Sequence, residues 1–178
     1  MKRICVFCGS KEGTRPVYVE AARILGAEIA TRGLGAVYGG AHVGLMGAVA
    51  DGALERGGEV IGVIPTFLLE KELAHDGLTE LREVSSMHER KAMMVNLSDG
   101  FISLPGGLGT FDETMEILTW AQLRIHDKPC GLLNVDGYYD RLIEFLDHAS
   151  EQGFVSSAHR QMILMEDSPG KLLDKFGF

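Results

Sequence analysis

The residues with the most chemical promise lie in one stretch, Phe101 to Arg124, FISLPGGLGTFDETMEILTWAQLR. Phe101 to Leu104 is an apolar run that suits a buried strand. Pro105 has no N–H for a central ladder and ends that strand. Gly106, Gly107 and Gly109 follow, and they permit backbone angles and close approaches that a side chain would block. Thr110 then opens a helix, with Phe111, Met115, Leu118, Ala121 and Ile125 predicted on one face. A glycine turn entering a helix leaves N–H groups aimed at one spot, on the positive end of the helix dipole. That spot suits a phosphate. Glu113 sits one turn inside, and Glu116 one turn further along nearly the same face. An acid beside an anion site has a pKa that its surroundings control, which suits acid–base or charge-stabilising chemistry. Thr110-x-x-Glu113 is equally the spacing of a capping box, in which the two residues only satisfy helix-end donors. The three glycines shift the balance towards the anion site, because a cap does not need them.

A second candidate is Arg90-Lys91, within a helix predicted from Ser85 or Ser86 to about Ser98. Two adjacent cations on a helix usually form a solvated face. If this helix packs beside the glycine turn, Arg90 is placed to hold a phosphate through two parallel N–H bonds. A second glycine turn, GGAHVGLMG at 39–47, also feeds a helix. Other chemistries are disfavoured. The first strand–helix turn, CGSKEGTRP, lacks G-x-G-x-x-G, and the second strand ends in Gly39-Gly40 where a ribose-binding acid is expected of a dinucleotide site. There is no G-x-x-x-x-G-K-[ST], no G-x-S-x-G and no H-E-x-x-H. Cys5 and Cys8 have C-x-x-C spacing, but an odd offset within a strand puts them on opposite faces, and no second pair completes a zinc site. Cys130 reads as core. No metal and no cofactor are expected.

The elements that must position these residues alternate along the chain. Strands are predicted at Arg3 to Cys8, Gly35 to Tyr38, Glu59 to Ile64, Thr79 to Val84, Phe101 to Leu104, Lys128 to Asn134 and Gln161 to Met165. Helices are predicted at Pro16 to about Arg32, Leu45 to Arg56, Ser85 or Ser86 to about Ser98, Thr110 to Ile125, Gly137 to Gln152 and Ser168 to Phe176. Thr66 to Gly77 is irregular. Alternation of this kind predicts an α/β fold: a three-layer, Rossmann-like, doubly wound parallel sheet with helices on both faces, in one domain spanning 1–178. Both glycine turns follow strands, at the sheet edge where ligands bind in such folds. The helix from Thr110 becomes apolar on several faces near its end, through Ile117, Leu118, Trp120, Ala121 and Leu123. That needs cover from two sides, which predicts a symmetric homodimer.

Composition agrees with a soluble globular protein: 178 residues, 46% hydrophobic, 24% charged, with 23 glycines. The net charge of −8 without a long basic run argues against nucleic acid or an anionic membrane as partner. No apolar segment approaches membrane-spanning length, and no signal peptide is visible. Three cysteines, an odd number, fit a reducing cytoplasm.

Pro105 to Glu113, PGGLGTFDE, resembles the P-G-G-x-G-T-x-x-E signature of the LONELY GUY (LOG) family. Those proteins are cytokinin riboside 5′-monophosphate phosphoribohydrolases, often mislabelled lysine decarboxylases. CGS at 8–10, YGGAHVGLMG at 38–47, GVIP at 62–65, MHERK at 87–91, TWAQL at 119–123, HDKP at 126–129 and NVDGYYDRL at 134–142 match its pattern in order. The resemblance implies hydrolysis of the N-glycosidic bond of a nucleoside 5′-monophosphate, AMP or an N6-substituted AMP, to free base and ribose 5-phosphate. It implies Arg90 and Glu113 as catalytic residues. It implies Glu72, Lys91, Gly107, Leu108, Gly109, Thr110 and Thr119 as substrate contacts, with the phosphate on the turn from Gly106 to Thr110. It also implies a homodimer or a higher assembly. Three departures stand out: Ala41 for a usual third glycine, where its methyl group would tighten the pocket, Arg124 for a common glycine, and Phe111-Asp112 for Leu-Glu. The rival is a binding protein of the same fold that carries a phosphorylated or molybdopterin-like ligand without turnover. A pyridoxal-phosphate lysine decarboxylase has only the old label behind it, since no lysine stands in a recognisable cofactor-binding context.

Overall fold

Runs such as Ile4 to Phe7 and Val60 to Ile64 are apolar at every position, so neither face of these strands tolerates water. In the computed structural model, which describes residues 1–69 and 74–178, seven parallel strands form one sheet in the order β4-β3-β2-β1-β5-β6-β7. The strands are β1 Arg3–Phe7, β2 Gly35–Tyr38, β3 Val60–Pro65, β4 Glu80–Val84, β5 Gly100–Ser103, β6 Cys130–Leu133 and β7 Ile163–Glu166. The fully buried strands occupy the middle. The edges are β4, with Glu80, Arg82 and Glu83, and the half-buried β7. Charge on an edge strand discourages pairing with another chain.

The helices are α1 Val17–Thr31, α2 Gly44–Leu54, α3 Met87–Leu97, α4 Leu108–Gln122, α5 Asp140–Glu151, α6 Ser157–Gln161 and α7 Pro169–Phe176. Side-chain alternation along the strands separates two cores. Ile4, Val6, Tyr38, Val60 and Ile102 pack with Leu25, Ile29, Val49 and Leu172 from α1, α2 and α7. Cys5, Phe7, Val37, Ile61, Val63 and Phe101 pack on the other side with Met94, Val95 and Ile117 from α3 and α4. Cys5 and Cys8 fall in different cores, as their odd spacing requires. A smaller cluster joins Leu132, Tyr139 and Ile143 under α5. Helices α1 and α2 touch backbone to backbone: a Cβ on Gly26 would lie 2.1 Å from the Val49 carbonyl oxygen, and one on Gly52 2.1 Å from that of Arg23.

The doubly wound parallel sheet agrees with the expectation from sequence. Three details differ. Helix α4 begins at Leu108 and ends at Gln122, rather than running from Thr110 to Ile125. Its buried residues are Thr110, Thr114, Ile117 and Ala121; of the face expected from sequence only Ala121 is buried, Phe111 and Leu118 pack partly against the core, and Ile125 is exposed. The short helix α6 carries no buried residue, which is why no apolar period announces it.

Candidate active site

The strand order reverses direction between β1 and β5, and the crevice above that point is where an open α/β sheet takes its ligand. Here the crevice is a cavity of about 540 Å³. The turn after β5 and the loop after β1 meet at its floor, where the Gly9 N–H donates to the Pro105 carbonyl at 3.1 Å.

Gly107 is the N-cap of α4, and no side chain caps the helix. Thr110 lies inside the first turn and is buried, so the capping-box reading of Thr110 and Glu113 does not hold. The glycines of this turn have different reasons to be there. A Cβ on Gly106 would sit 2.1 Å from Thr110 Oγ1 and 2.9 Å from the Gly9 nitrogen. Around Gly107 and Gly109 the same construction meets nothing within 4 Å, and neither adopts a positive φ. Nothing in the described chain therefore requires glycine at 107 and 109; the space they leave opens into the cavity. Uncapped N–H groups beside open space at a helix start suit an anion.

Arg90 lines the same cavity and is 6% exposed. Its Nε donates to the Val63 carbonyl and its Nη2 to the Gly39 carbonyl, each at 3.0 Å, while Nη1 lies 3.9 Å from the Met87 sulfur. The guanidinium is thus pinned at the carboxyl ends of β2 and β3 by carbonyl dipoles, with donors to spare. Gly39 is what admits it, since a Cβ there would lie 2.3 Å from Nη2. Glu113, half-buried on α4, lines the cavity as well. Both charges reach Cys8 at the end of β1. Burial pushes the Cys8 thiol well up, the negative charge of Glu113 pushes it further, and the positive charge of Arg90 opposes.

The site residues expected from sequence thus fall into three groups. Arg90, Gly106, Gly107, Leu108, Gly109, Thr110 and Glu113 come together around the cavity. Lys91 and Thr119 stand outside its lining. The Lys91 Nζ donates to Asp112 Oδ2 at 3.1 Å and lies 2.8 Å from Glu116 Oε2, tying α3 to α4. Burial works against that ammonium, but its partners Glu116 and Asp112 outweigh burial and hold its pKa above the ordinary lysine value. The exposed Thr119 returns its hydroxyl to the Met115 carbonyl at 2.7 Å. Glu72 lies outside the described residues. Ala41 does not tighten the pocket: it is fully buried in the core, outside the lining. Sequence reasoning missed Tyr18 and Tyr138, which form part of one wall, and the apolar group Leu45, Met46, Leu68, Met87 and Met94. Leu45, Met46, Met87 and Tyr138 had only their place in matching motifs as a signal, and Tyr18, Leu68 and Met94 had none; an apolar residue on a helix reads as core.

Fold and site together define a Rossmann-like α/β protein with an uncapped, glycine-rich helix start at the switch point of its sheet. The family model described as "Possible lysine decarboxylase" matches residues 46–176. A cytokinin riboside 5′-monophosphate phosphoribohydrolase of Arabidopsis thaliana is 51% identical over 173 residues, covering 97% of this chain and 80% of that protein. A probable enzyme of the same name from Oryza sativa subsp. japonica is 52% identical, covering 98% and 71%. The chain belongs to this LOG family. Among solved structures, a molybdenum cofactor binding protein from Rippkaea orientalis superposes with a TM-score of 0.73 at 24% identity, over 99% of this chain and 96% of that one. A molybdenum cofactor carrier protein from Chlamydomonas reinhardtii gives 0.72 at 21%, over 98% and 94%. At such identities the likeness is one of fold.

Proposed function

We propose that the chain hydrolyses the N-glycosidic bond of nucleoside 5′-monophosphates, releasing free base and ribose 5-phosphate. What carries the reading is the pairing of an uncapped glycine turn with a carboxylate and a buried guanidinium around one cavity. Family membership at about half identity supports it.

In this reading the N–H groups at the start of α4 take the 5′-phosphate, and Gly107 and Gly109 leave room for its oxygens. Remote binding of the phosphate then holds the sugar in place for reaction. As the glycosidic bond breaks, positive charge builds on the ribose ring. Glu113, as carboxylate, stabilises that charge and orients the attacking water. Arg90 contacts the ends of β2 and β3, with β1 between them and β5, so the phosphate turn lies on the order of 10 Å away across the strand spacing. That separation favours Arg90 beside the sugar or the leaving base. In this reading the 131-residue match to a family described as a possible lysine decarboxylase carries no lysine chemistry: Lys91 is engaged by two carboxylates, and Lys11, the lysine lining the cavity among the described residues, lies outside the matched stretch.

The protein acts as a homodimer in this account. The support is apolar surface at both ends of α4, where Leu108 is 85% exposed, Leu123 61% and Ile125 62%. Lys91, Glu72 and Thr119 remain candidate substrate contacts in the assembled enzyme. The net charge of −8 speaks against nucleic acid or an anionic membrane as partner; among the described residues no helix is long and apolar enough to cross a bilayer. A cytoplasmic setting suits three buried, unpaired thiols.

The test gives purified protein, its mass fixed by light scattering, AMP, isopentenyl-AMP and the two corresponding ribosides. Free base from the monophosphates but not the ribosides, by a particle of twice the chain mass, is expected. Tight ligand retention without product would favour the carrier reading instead.

A further inference from the structure

Tyr138 lies between β6 and α5, in a segment that the proposed chemistry does not use. Its hydroxyl donates to the Gly106 carbonyl at 2.5 Å, and its ring lines the cavity. The next residue, Tyr139, is buried and donates to the Leu104 carbonyl at 2.7 Å. Two successive tyrosines therefore hold the carbonyls on either side of Pro105. The Tyr138 ring also meets Tyr18 of α1 edge-on, with centroids 6.0 Å apart, and Tyr139 at 5.1 Å. An ion pair between Arg15 and Asp136 ties the loop before α1 to the same segment.

We propose that Tyr138 is a positioning residue for the phosphate site, its hydroxyl aiming the Gly106–Gly107 peptide so that the Gly107 N–H serves the anion. The proposal rests on the phosphate reading given above. The peptide unit is planar, and no peptide bond in the described residues is cis, so fixing the Gly106 carbonyl fixes the opposed Gly107 N–H. A hydrogen bond to that carbonyl also polarises the peptide and makes its N–H a stronger donor. Gly107 is the residue with open space where a Cβ would be, and it caps α4 without help from a side chain. Glycine on both sides of this peptide supplies no steric brake of its own, so an outside hydrogen bond has to set its orientation.

Tyr138→Phe removes the hydroxyl and keeps the ring against Tyr18 and Tyr139. Tyr139→Phe removes the neighbouring tether, which faces the core, and serves as the structural control. The experiment measures ribose 5-phosphate binding by titration calorimetry, steady-state kcat and KM, and thermal midpoint for wild type and both variants. Tyr138→Phe is expected to weaken ribose 5-phosphate and raise KM by about tenfold, leave kcat within about threefold, and barely move the midpoint. Tyr139→Phe is expected to lower the midpoint and leave affinity alone. Ribose 5-phosphate affinity within about twofold of wild type in Tyr138→Phe overturns the proposal, as does an affinity loss that simply follows the midpoint in both variants. Wild type that binds ribose 5-phosphate but releases no base rejects the hydrolase, while the affinity comparison still decides Tyr138. Wild type that does not bind ribose 5-phosphate overturns both.

Discussion

Arg124 carries a backbone strain that its side chain does not explain. It lies at φ 59°, one residue past the end cap of α4. Its N–H donates to the Ala121 carbonyl at 3.0 Å, and the Ile125 N–H to that of Trp120 at 2.9 Å, the paired bonds of a Schellman stop. Glycine suits this position because it has no Cβ to clash in the left-handed region. Arg124 stands where the family pattern commonly has glycine, and the constraint that explains this is in the backbone. Arg124→Gly is therefore expected to stabilise the protein by about 1 kcal/mol and raise its thermal midpoint by ~2–4 °C. A calorimetric scan checks this, and a lower midpoint would show that the Arg124 side chain does more than tolerate the turn. Arg90 was legible as a candidate from its neighbours in sequence, but not its burial. Its partners are carbonyls of Gly39 and Val63, 51 and 27 residues away, and carbonyls leave no residue-type signature.

At the scale of elements, two four-residue spacings that look alike do different things. Ser86-x-x-Glu89 is a true cap: Ser86 accepts from the Glu89 N–H at 3.2 Å, and Glu89 accepts from the Ser85 N–H and hydroxyl, each at 2.8 Å. The backbone N–H of Ser85, with its hydroxyl second, holds the Glu89 carboxyl below its usual pKa. Thr110-x-x-Glu113 has the same pattern but starts two residues inside α4, which leaves the helix end open for a ligand. The sequence alone could not separate the two, because the distinction depends on where the turn releases the chain into the helix. It did place the glycine turn at a strand end facing the crevice. Two substitutions in that turn follow different physics. Gly106→Ala drives a methyl group into Thr110 and is expected to lower stability by about 1–3 kcal/mol. Gly107→Ala meets open space, so it is expected to keep the midpoint within a few degrees while raising KM for the monophosphate at least ~10-fold. Urea unfolding and steady-state kinetics on both variants test this; equal stability losses with unchanged KM would contradict it.

At the scale of the molecule, the sheet was the most legible feature, since buried strands such as Ile4 to Phe7 announce themselves by composition. The facing of α4 was not, because its apolar residues lie on several sides and only tertiary packing decides that Ile117 and Ala121 turn inward. The buried core has a consequence at alkaline pH. Burial raises the thiols of Cys5 and Cys8 well above 9.0 and that of Cys130 to about 12, and raises the phenols of Tyr38 and Tyr139 above 10.0. An acid whose folded pKa is raised stays protonated in the fold while the unfolded chain loses its proton. Below pH 9 both states are protonated and nothing changes; above it the unfolded state binds fewer protons and stability falls. Each such thiol contributes a slope of about 1.4 kcal/mol per pH unit, with the two phenols joining above pH 10. Urea midpoints are expected to be flat from pH 7 to 8.5 and to drop steeply by pH 10. A flat profile to pH 10 would mean that these groups are reached by water.

The mechanism we propose divides the labour across the switch point between a helix end that grips phosphate and a carboxylate, Glu113, that meets the charge on the sugar. Glu113→Gln keeps the shape of that side chain and removes its charge, so turnover of a nucleoside monophosphate alongside ribose 5-phosphate affinity separates the two tasks directly. The expected result is a fall in kcat of roughly 10²–10³-fold, with ribose 5-phosphate affinity within about threefold of wild type. Wild-type kcat in this variant, or a loss of affinity with kcat intact, would contradict the division.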